Sequence, residues 1–300
     1  MRIGVDLGGT KTEIIALADD GKVRLRRRIA TPSGGYRDTL AAVVALVDMA
    51  ERELGCRASV GVGTPGAISP ASGLIKNANS TCLNGQALDR DLSAALGRPV
   101  RIANDANCMA LSEAVDGAAA GAGCVFGVII GTGVGGGVVI DTRVRIGPNA
   151  IAGEWGHNPL PLPDADDLPL PPCYCGRRGC VETYLCGPGL VADHRRHGGS
   201  EDDARLIAAA ASAGCEASMA RYERRLARSL AGVINILDPD VVVLAGGLSN
   251  IERLYRKVPA LWAEHVFSDR VDTRLVRSLH GDSSGVRGAA WLWGRDEPPS

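Results

Sequence analysis

The chain has 300 residues, 45% of them hydrophobic, enough for two domains of ordinary size around substantial cores. Its formal net charge of −1 gives no electrostatic reason to expect nucleic acid or an anionic membrane as a partner. The opening MRIGVDLGGT meets charge and glycine too early for a signal peptide, and the longest apolar stretch, Cys124 to Ile140, is interrupted by six glycines, so a cytoplasmic protein is expected.

In chain order, Arg2 to Leu7 reads as a short apolar strand, GGT as a turn, TEIIAL as a second strand and KVRLRRRIA as a third with its arginines toward solvent. Tyr36 to Leu54 places Leu40, Val43, Val44 and Val47 at helical spacing. Val60 to Val62 is a buried strand running into GTPG. Val100 to Ala103 is another, followed by a helix from Asp105 to Gly117. From Cys124 a second strand, glycine turn and strand begin. Ala217 to Leu237 is a long amphipathic helix with Leu226, Leu230, Val233, Ile234 and Leu237 on one face, stopped by Pro239. The strand VVVLAGG follows, then a closing helix from Ser283 to Trp293 and a frayed RDEPPS tail.

The two strand–glycine–strand units, IGVDLGGTKTEIIAL and VFGVIIGTGVGGGVVI, each open a half in which strands alternate with helices. This repetition predicts an α/β protein of two facing domains with a cleft between them. The expected division is residues 1–117 and 118–282, with a closing helix over 283–295 packing back on the first domain.

Each glycine turn offers bare backbone N–H groups that can cradle phosphate oxygens, and Asp6 at the end of the first strand can hold a Mg²⁺ ion or its waters. A plain hairpin is the alternative for either turn alone. The second turn, GTGVGG, matches G-x-G-x-x-G, but the dinucleotide fingerprint needs a helix next, and the β-branched GVVI that follows predicts a strand.

The motifs DLGGTKT, NDAN, GTGVGGG, AGEWGH, CYCGRRGC.E and LDPDVVVLAGGLS, in this order over nearly the whole chain, resemble the ROK family of bacterial sugar kinases, within the actin-like, hexokinase-like ATPase superfamily. KNANSTCLNGQ, NDANCMALSEAVDGAAAGA and HGDSSGVRGAAWLW look like bacterial fructokinases of the mannofructokinase type. The resemblance implies an actin-like, hexokinase-like fold, ATP with Mg²⁺ as cofactor, a small-molecule sugar as partner, and a homodimer to which the helix around Ala217 to Leu237 could lend apolar surface. It assigns Asp105 as the general base that accepts the proton of the attacking hydroxyl. It gives Asn104 a sugar contact, although Asn and Asp here also suit a helix N-cap. Asp6 positions Mg²⁺. Gly8, Gly9, Thr10 and Lys11 line the first phosphate turn, Thr132, Gly133 and Gly135 the second, and Gly246 and Gly247 pass close to the adenosine. Gly66 and Asn79 belong to the sugar wall, and Glu154, His157 and Glu182 grip hydroxyls on the far side of the sugar.

Nine cysteines leave at least one thiol outside any disulfide set, and in a reducing compartment a tight cluster suggests metal first. Cys56, Cys108, Cys124 and Cys215 lie in apolar or helical stretches and read as core residues. His157 with Cys173, Cys175 and Cys180 can close a tetrahedral, structural Zn²⁺ site; free thiols on a loop are the alternative. Zinc would then fix His157, bound through one ring nitrogen with the other free for a sugar hydroxyl, together with Glu154 and Glu182. Its removal should harm sugar binding more than ATP binding, since neither phosphate turn contains a ligand. The remaining histidines receive no role, and DHRRHGG reads as a solvated helix end.

The expected reaction is ATP-dependent phosphorylation of the 6-hydroxyl of D-fructose, with mannose as a second substrate. Cys82 stands where the fructokinase-like relatives often carry Trp, so a glucokinase or an N-acetylhexosamine kinase is the alternative. A sugar-sensing ROK regulator is disfavoured: its helix-turn-helix domain would precede the sugar module, and the phosphate turn here begins at Asp6.

Overall fold

The computed structural model describes residues 1–294. The RDEPPS tail and the last residue of the expected closing helix lie outside the described residues. In chain order the strands and helices are β1 (Arg2–Leu7), β2 (Lys11–Leu17), β3 (Val23–Ala30), α1 (Tyr36–Leu54), β4 (Ser59–Thr64), the two-residue strands β5 (Ala67–Ile68) and β6 (Ile75–Lys76), α2 (Leu88–Leu96), β7 (Val100–Asn104) and α3 (Asp105–Val115). They continue as β8 (Cys124–Ile130), β9 (Val134–Ile140), β10 (Arg143–Val144), α4 (Glu182–Leu185), α5 (Gly187–Arg196), α6 (Ala204–Ala209), α7 (Ala213–Leu237), β11 (Val241–Ala245), α8 (Leu254–Ala260), β12 (Arg274–Arg277) and α9 (Ser284–Trp291). Two compact units result: one holds residues 1–121, 137–152 and the described segment from Asp282, the other residues 122–136 and 153–281.

In the first unit the sheet order is β3-β2-β1-β4-β7, antiparallel from β3 to β1 and parallel from β1 to β7. One core joins Ile3, Val5 and Leu7 with Ile14, Val60 and Val62, and with Val43 and Val47 of α1 and Leu88 and Leu92 of α2. α9 meets the sheet where side chains are missing. Gly4 and Gly61 are register partners on β1 and β4, and a Cβ on either would lie 2.1 Å from the Val286 carbonyl oxygen or 1.9 Å from that of Ala289. The glycines of the first strand and of VGVGT are thus contact points for a helix backbone. β3 exposes its arginines as expected, but Arg26 and Arg28 also clamp the buried Glu13 of β2.

The other five-stranded sheet has the order β10-β9-β8-β11-β12, with β8, β11 and β12 parallel. GVVI is part of β9, so the dinucleotide reading fails for the reason of context. α7 begins four residues earlier than expected, because Ser212 accepts from the Cys215 N–H and caps it. Its apolar face is spent inside its own unit: Leu226, Leu230 and Ile234 are buried, while Ile236 is 90% and Phe267 99% exposed. The large apolar side chain that this helix leaves exposed is Ile236.

Behind α4 and α5 lies a buried ion network. Arg225 of α7 meets Asp167 at 2.7 Å and Asp193 at 2.9 Å and lies over the Tyr184 ring; Arg221 and Arg228 pair with the same two carboxylates. Burial raises the Asp167 and Asp193 carboxyls, and hydrogen bonds with the arginine charges outweigh it, leaving both below the ordinary carboxylate range. DHRRHGG is the end of α5 with Arg195, Arg196 and His197 exposed, as read, but its first two residues are not solvated. Asp193 belongs to this network, and His194 is buried between Ser218 Oγ at 2.9 Å and Glu201 at 2.5 Å. Cys108 and Cys215 are core residues as read, but Cys56, just past the Gly55 cap of α1, is exposed and Cys124 half-buried.

Candidate active site

The first glycine turn closes on itself, with the Gly8 N–H donating to the Lys11 carbonyl at 3.0 Å. Thr31, from the end of β3, fixes it: its hydroxyl donates to the Gly8 carbonyl at 2.7 Å and its N–H to that of Thr10 at 3.0 Å. Gly9, Thr10 and Lys11 are left exposed. Gly8, Gly9 and Thr10 line a pocket of about 550 Å³ with Asn79, Ser80 and Cys82. Ser80 Oγ is buried without a partner, and a Cβ on Gly9 would come within 3.0 Å of it. An orphaned hydroxyl over bare backbone N–H groups suits a phosphoryl oxygen. Sequence reasoning misses Thr31 and Ser80, since lone hydroxyls beside a turn leave no periodic trace.

Two carboxylates meet behind this turn. Burial, then Asp105, then Glu13 push Asp6 up to about 6 against the opposing pull of Arg28. Burial also raises Asp105, against the hydrogen bonds from Ala106 and Asn104 that favour its ionised form, although the residue as a whole keeps an exposed surface. Asp105 opens α3, and the Ala106 N–H is shared between Asp105 Oδ1 at 2.8 Å and Asn104 Oδ1 at 2.9 Å. Asn104 is thus the N-cap of α3, and its Nδ2 donates to the Gly66 carbonyl at 3.2 Å. Of the two readings open for Asn104, the cap is the one the local geometry realises, and its side chain also hydrogen-bonds Asp105. Gly66 has φ +78 and would meet the Lys76 carbonyl oxygen within 2.3 Å of an added Cβ, which only glycine accommodates. An acidic pair at the end of a strand beside bare N–H groups is a donor set that fits Mg²⁺ carried by a nucleotide.

In the second unit, Thr132 and Gly247 line one pocket of about 690 Å³ together with the start of α5. Gly246, at φ +85, lies beneath, where a Cβ would meet the Ile130 carbonyl oxygen at 2.5 Å. The cysteine segment is a tight knot. The Cys173 N–H donates to the Arg177 carbonyl at 2.8 Å, and Gly176 and Gly179 take positive φ of 87° and 72°. His157 Nδ1 is 3.6 Å from Cys173 Sγ, Cys175 Sγ is 3.6 Å from Cys180 Sγ, and all four donor atoms lie within 4.8 Å of one another. Burial and the neighbouring sulfurs push Cys180 up to about 12. Three sulfurs and one imidazole nitrogen gathered this closely are a donor set that fits Zn²⁺.

His157 Nε2, which the sequence left for a sugar hydroxyl, is 2.9 Å from the Tyr174 hydroxyl, whose ring stands edge-on at 5.1 Å. Tyr174 is otherwise 83% exposed. Glu154 is exposed. Glu182 opens α4, two residues past Cys180, and its Oε2 accepts the Val134 N–H at 2.8 Å. The cysteine knot and the second glycine turn are therefore joined through Glu182, a link the sequence did not show.

The ROK family profile matches residues 2–296. The N-acetyl-D-glucosamine kinase of Photobacterium profundum is 40% identical over 97% of this chain and 99% of its own length. The ROK hexokinase of Thermus thermophilus superposes with a TM-score of 0.85 at 31% identity, covering 97% of both chains. The ROK family glucokinase of Streptomyces griseus, solved with glucose and AMPPNP, does so with a TM-score of 0.74 at 26% identity over 97% of this chain and 98% of its own.

Proposed function

The chain belongs to the ROK family, with its hexokinase-like ATPase fold, and on that footing we propose that it is an ATP-dependent kinase acting on the 6-hydroxyl of N-acetyl-D-glucosamine. Fructose, the sugar first expected, gives way to the alternative. The observation that carries this choice is the 40% identity, over nearly the full length of both proteins, with the Photobacterium profundum N-acetyl-D-glucosamine kinase. Cys82 agrees with it: exposed at the rim of the Asn79 pocket, it offers no aromatic face of the kind the fructokinase-like sequences carry there.

In this reading Asp105 accepts the hydroxyl proton, a task suited by a carboxylate whose basicity burial has raised. Asn104 holds the start of α3 so that this carboxylate has one position, and Asn79 and Gly66 belong to the sugar wall. The backbone of Gly8, Gly9, Thr10 and Lys11, and that of Thr132, Gly133 and Gly135, receives phosphate oxygens, with Gly246 and Gly247 beside the nucleoside. Mg²⁺, held through Asp6, supplies positive charge against the phosphates. Glu154, His157 and Glu182 bind sugar hydroxyls, and His157 must exchange Tyr174 for one. Zn²⁺ on His157, Cys173, Cys175 and Cys180 keeps the knot in shape. Most of the rate enhancement comes from alignment and charge neutralisation.

Measuring ADP release with N-acetyl-D-glucosamine, fructose, mannose and glucose tests the reading. The highest kcat/KM is expected for N-acetyl-D-glucosamine; a higher value for fructose or glucose overturns the sugar choice, and no turnover with any of them overturns the kinase assignment.

A further inference from the structure

The second phosphate turn has few bonds of its own. The Gly131 N–H donates to the Gly133 carbonyl at 3.0 Å, and the turn then runs straight into β9. Its shape is set from outside, by the segment that carries the zinc ligands. The Gly187 N–H donates to the Gly131 carbonyl at 2.7 Å, Trp155 Nε1 to the Gly135 carbonyl at 3.1 Å, and Glu182 Oε2 accepts from Val134 at 2.8 Å. The fit is close: a Cβ on Gly133 would lie 2.8 Å from Glu182 Oε2, and one on Gly156 would lie 2.4 Å from the Val134 carbonyl oxygen.

Of these three struts only Glu182 is charged, and only Glu182 is also a sugar-binding residue in the function proposed above. A carboxylate has two oxygens. Oε2 is committed to the Val134 N–H, which leaves Oε1 for a hydroxyl. A charge-assisted bond of this kind is stronger than a neutral strut.

We propose that Glu182 is a positioning residue for the nucleotide: through the Val134 N–H it holds the second phosphate turn, so that one carboxylate ties sugar binding to phosphate binding. The Oε2 bond fixes where the N–H groups of the turn point. Without it the turn must be ordered by the nucleotide itself, and that cost appears as weaker binding.

The inference rests on the kinase reading, so the experiment separates the two. Calorimetric titration with Mg²⁺ and AMPPNP, without sugar, gives the nucleotide Kd of the wild type, Glu182→Gln and Glu182→Ala; titration with N-acetyl-D-glucosamine gives the sugar Kd. The carboxamide oxygen of Glu182→Gln can still accept from Val134, so its nucleotide Kd should stay within about 3-fold while its sugar Kd weakens by about 10-fold or more. Glu182→Ala should weaken both, the nucleotide by about 10-fold. An unchanged nucleotide Kd in Glu182→Ala, or equal nucleotide losses in both variants, overturns the inference. A wild type that binds neither ligand overturns the kinase reading instead. Should Glu182→Ala not fold, Trp155→Phe removes the neighbouring strut: about a 3-fold weaker nucleotide Kd supports external bracing of the turn, and no change overturns it.

Discussion

A Cβ on Gly288 would lie 1.6 Å from the carbonyl oxygen of Cys108, so the backbones of α9 and α3 touch at this point. α3 begins with Asp105, and its position is set by this contact on one side and by the Asn104 cap at its start. Gly288→Ala must push the two helices apart. A loss of about 3 kcal/mol is expected, the upper end for overpacking by one methyl, with kcat falling in parallel because Asp105 moves with its helix. Denaturant unfolding together with steady-state kinetics checks this. Unchanged stability would mean that the helix pair yields at no cost.

The sheet and its helices are legible in the sequence because they rest on periodicity: the bounds of α1 and the strands of both glycine hairpins follow from apolar spacing alone. α5 and α6 are not, because Pro188 and short runs of mixed residues hide a helix whose stability comes from the Arg225 network behind it. The individual site residues are legible in turn motifs, but their couplings are not. Nothing in the sequence says that Tyr174 meets His157, that Glu182 meets Val134, or that Asp193 and His194 are buried, because each depends on a distant partner.

Asp105→Asn keeps an oxygen for the Ala106 N–H and removes the proposed proton acceptor. Turnover should fall by about 10²-fold or more. Because burial already disfavours the charged form of Asp105, the fold should be as stable as the wild type or more so at neutral pH. Near-full turnover in this variant would remove Asp105 from the chemistry.

Asp6, pushed up to about 6, makes a pH prediction of definite sign. A carboxyl with a raised value in the folded state binds more protons there than in the unfolded chain, so its ionisation costs stability as pH rises from about 4 to about 6. Asp6→Asn should therefore be more stable than the wild type at about pH 7–8, with the difference vanishing below about pH 4. Activity should run the other way: an Asp6 that must be ionised to hold Mg²⁺ predicts a kcat/KM for MgATP that declines as pH falls through about 6. Thermal melts and rates across about pH 4–8 test both, and a flat profile in each would refute the assignment.

The Tyr174 hydroxyl lies 2.9 Å from the ring nitrogen of His157 that the proposed sugar contact would use. One exposed hydrogen bond contributes about 0.5–1.5 kcal/mol, so Tyr174→Phe should lower the sugar KM by about 2- to 10-fold, with kcat nearly unchanged. A raised KM would show that Tyr174 itself contacts the sugar.

If the four residues hold Zn²⁺ as proposed, replacing Cys175 would leave three ligands and an open position. Cys175→Ser should lose zinc, measured by elemental analysis of the purified protein. Judged from the sequence alone, the damage would fall mainly on the sugar KM and much less on the ATP KM, because neither phosphate turn carries a ligand. The bonds from Glu182 to Val134, Trp155 to Gly135 and Gly187 to Gly131 change that expectation. All three come from the chain segment that the proposed zinc ligands close. A knot that fluctuates will loosen Glu182 first, two residues from Cys180, and with it both the sugar grip and the second turn. The sugar KM should rise by about 10-fold or more and the ATP KM by a smaller but measurable factor of about 3 to 10, since the first turn is held separately by Thr31. An ATP KM that stays at the wild-type value in a zinc-free protein would show that the turn keeps its shape without the knot. Full activity without zinc would show that the knot has no part in binding either substrate.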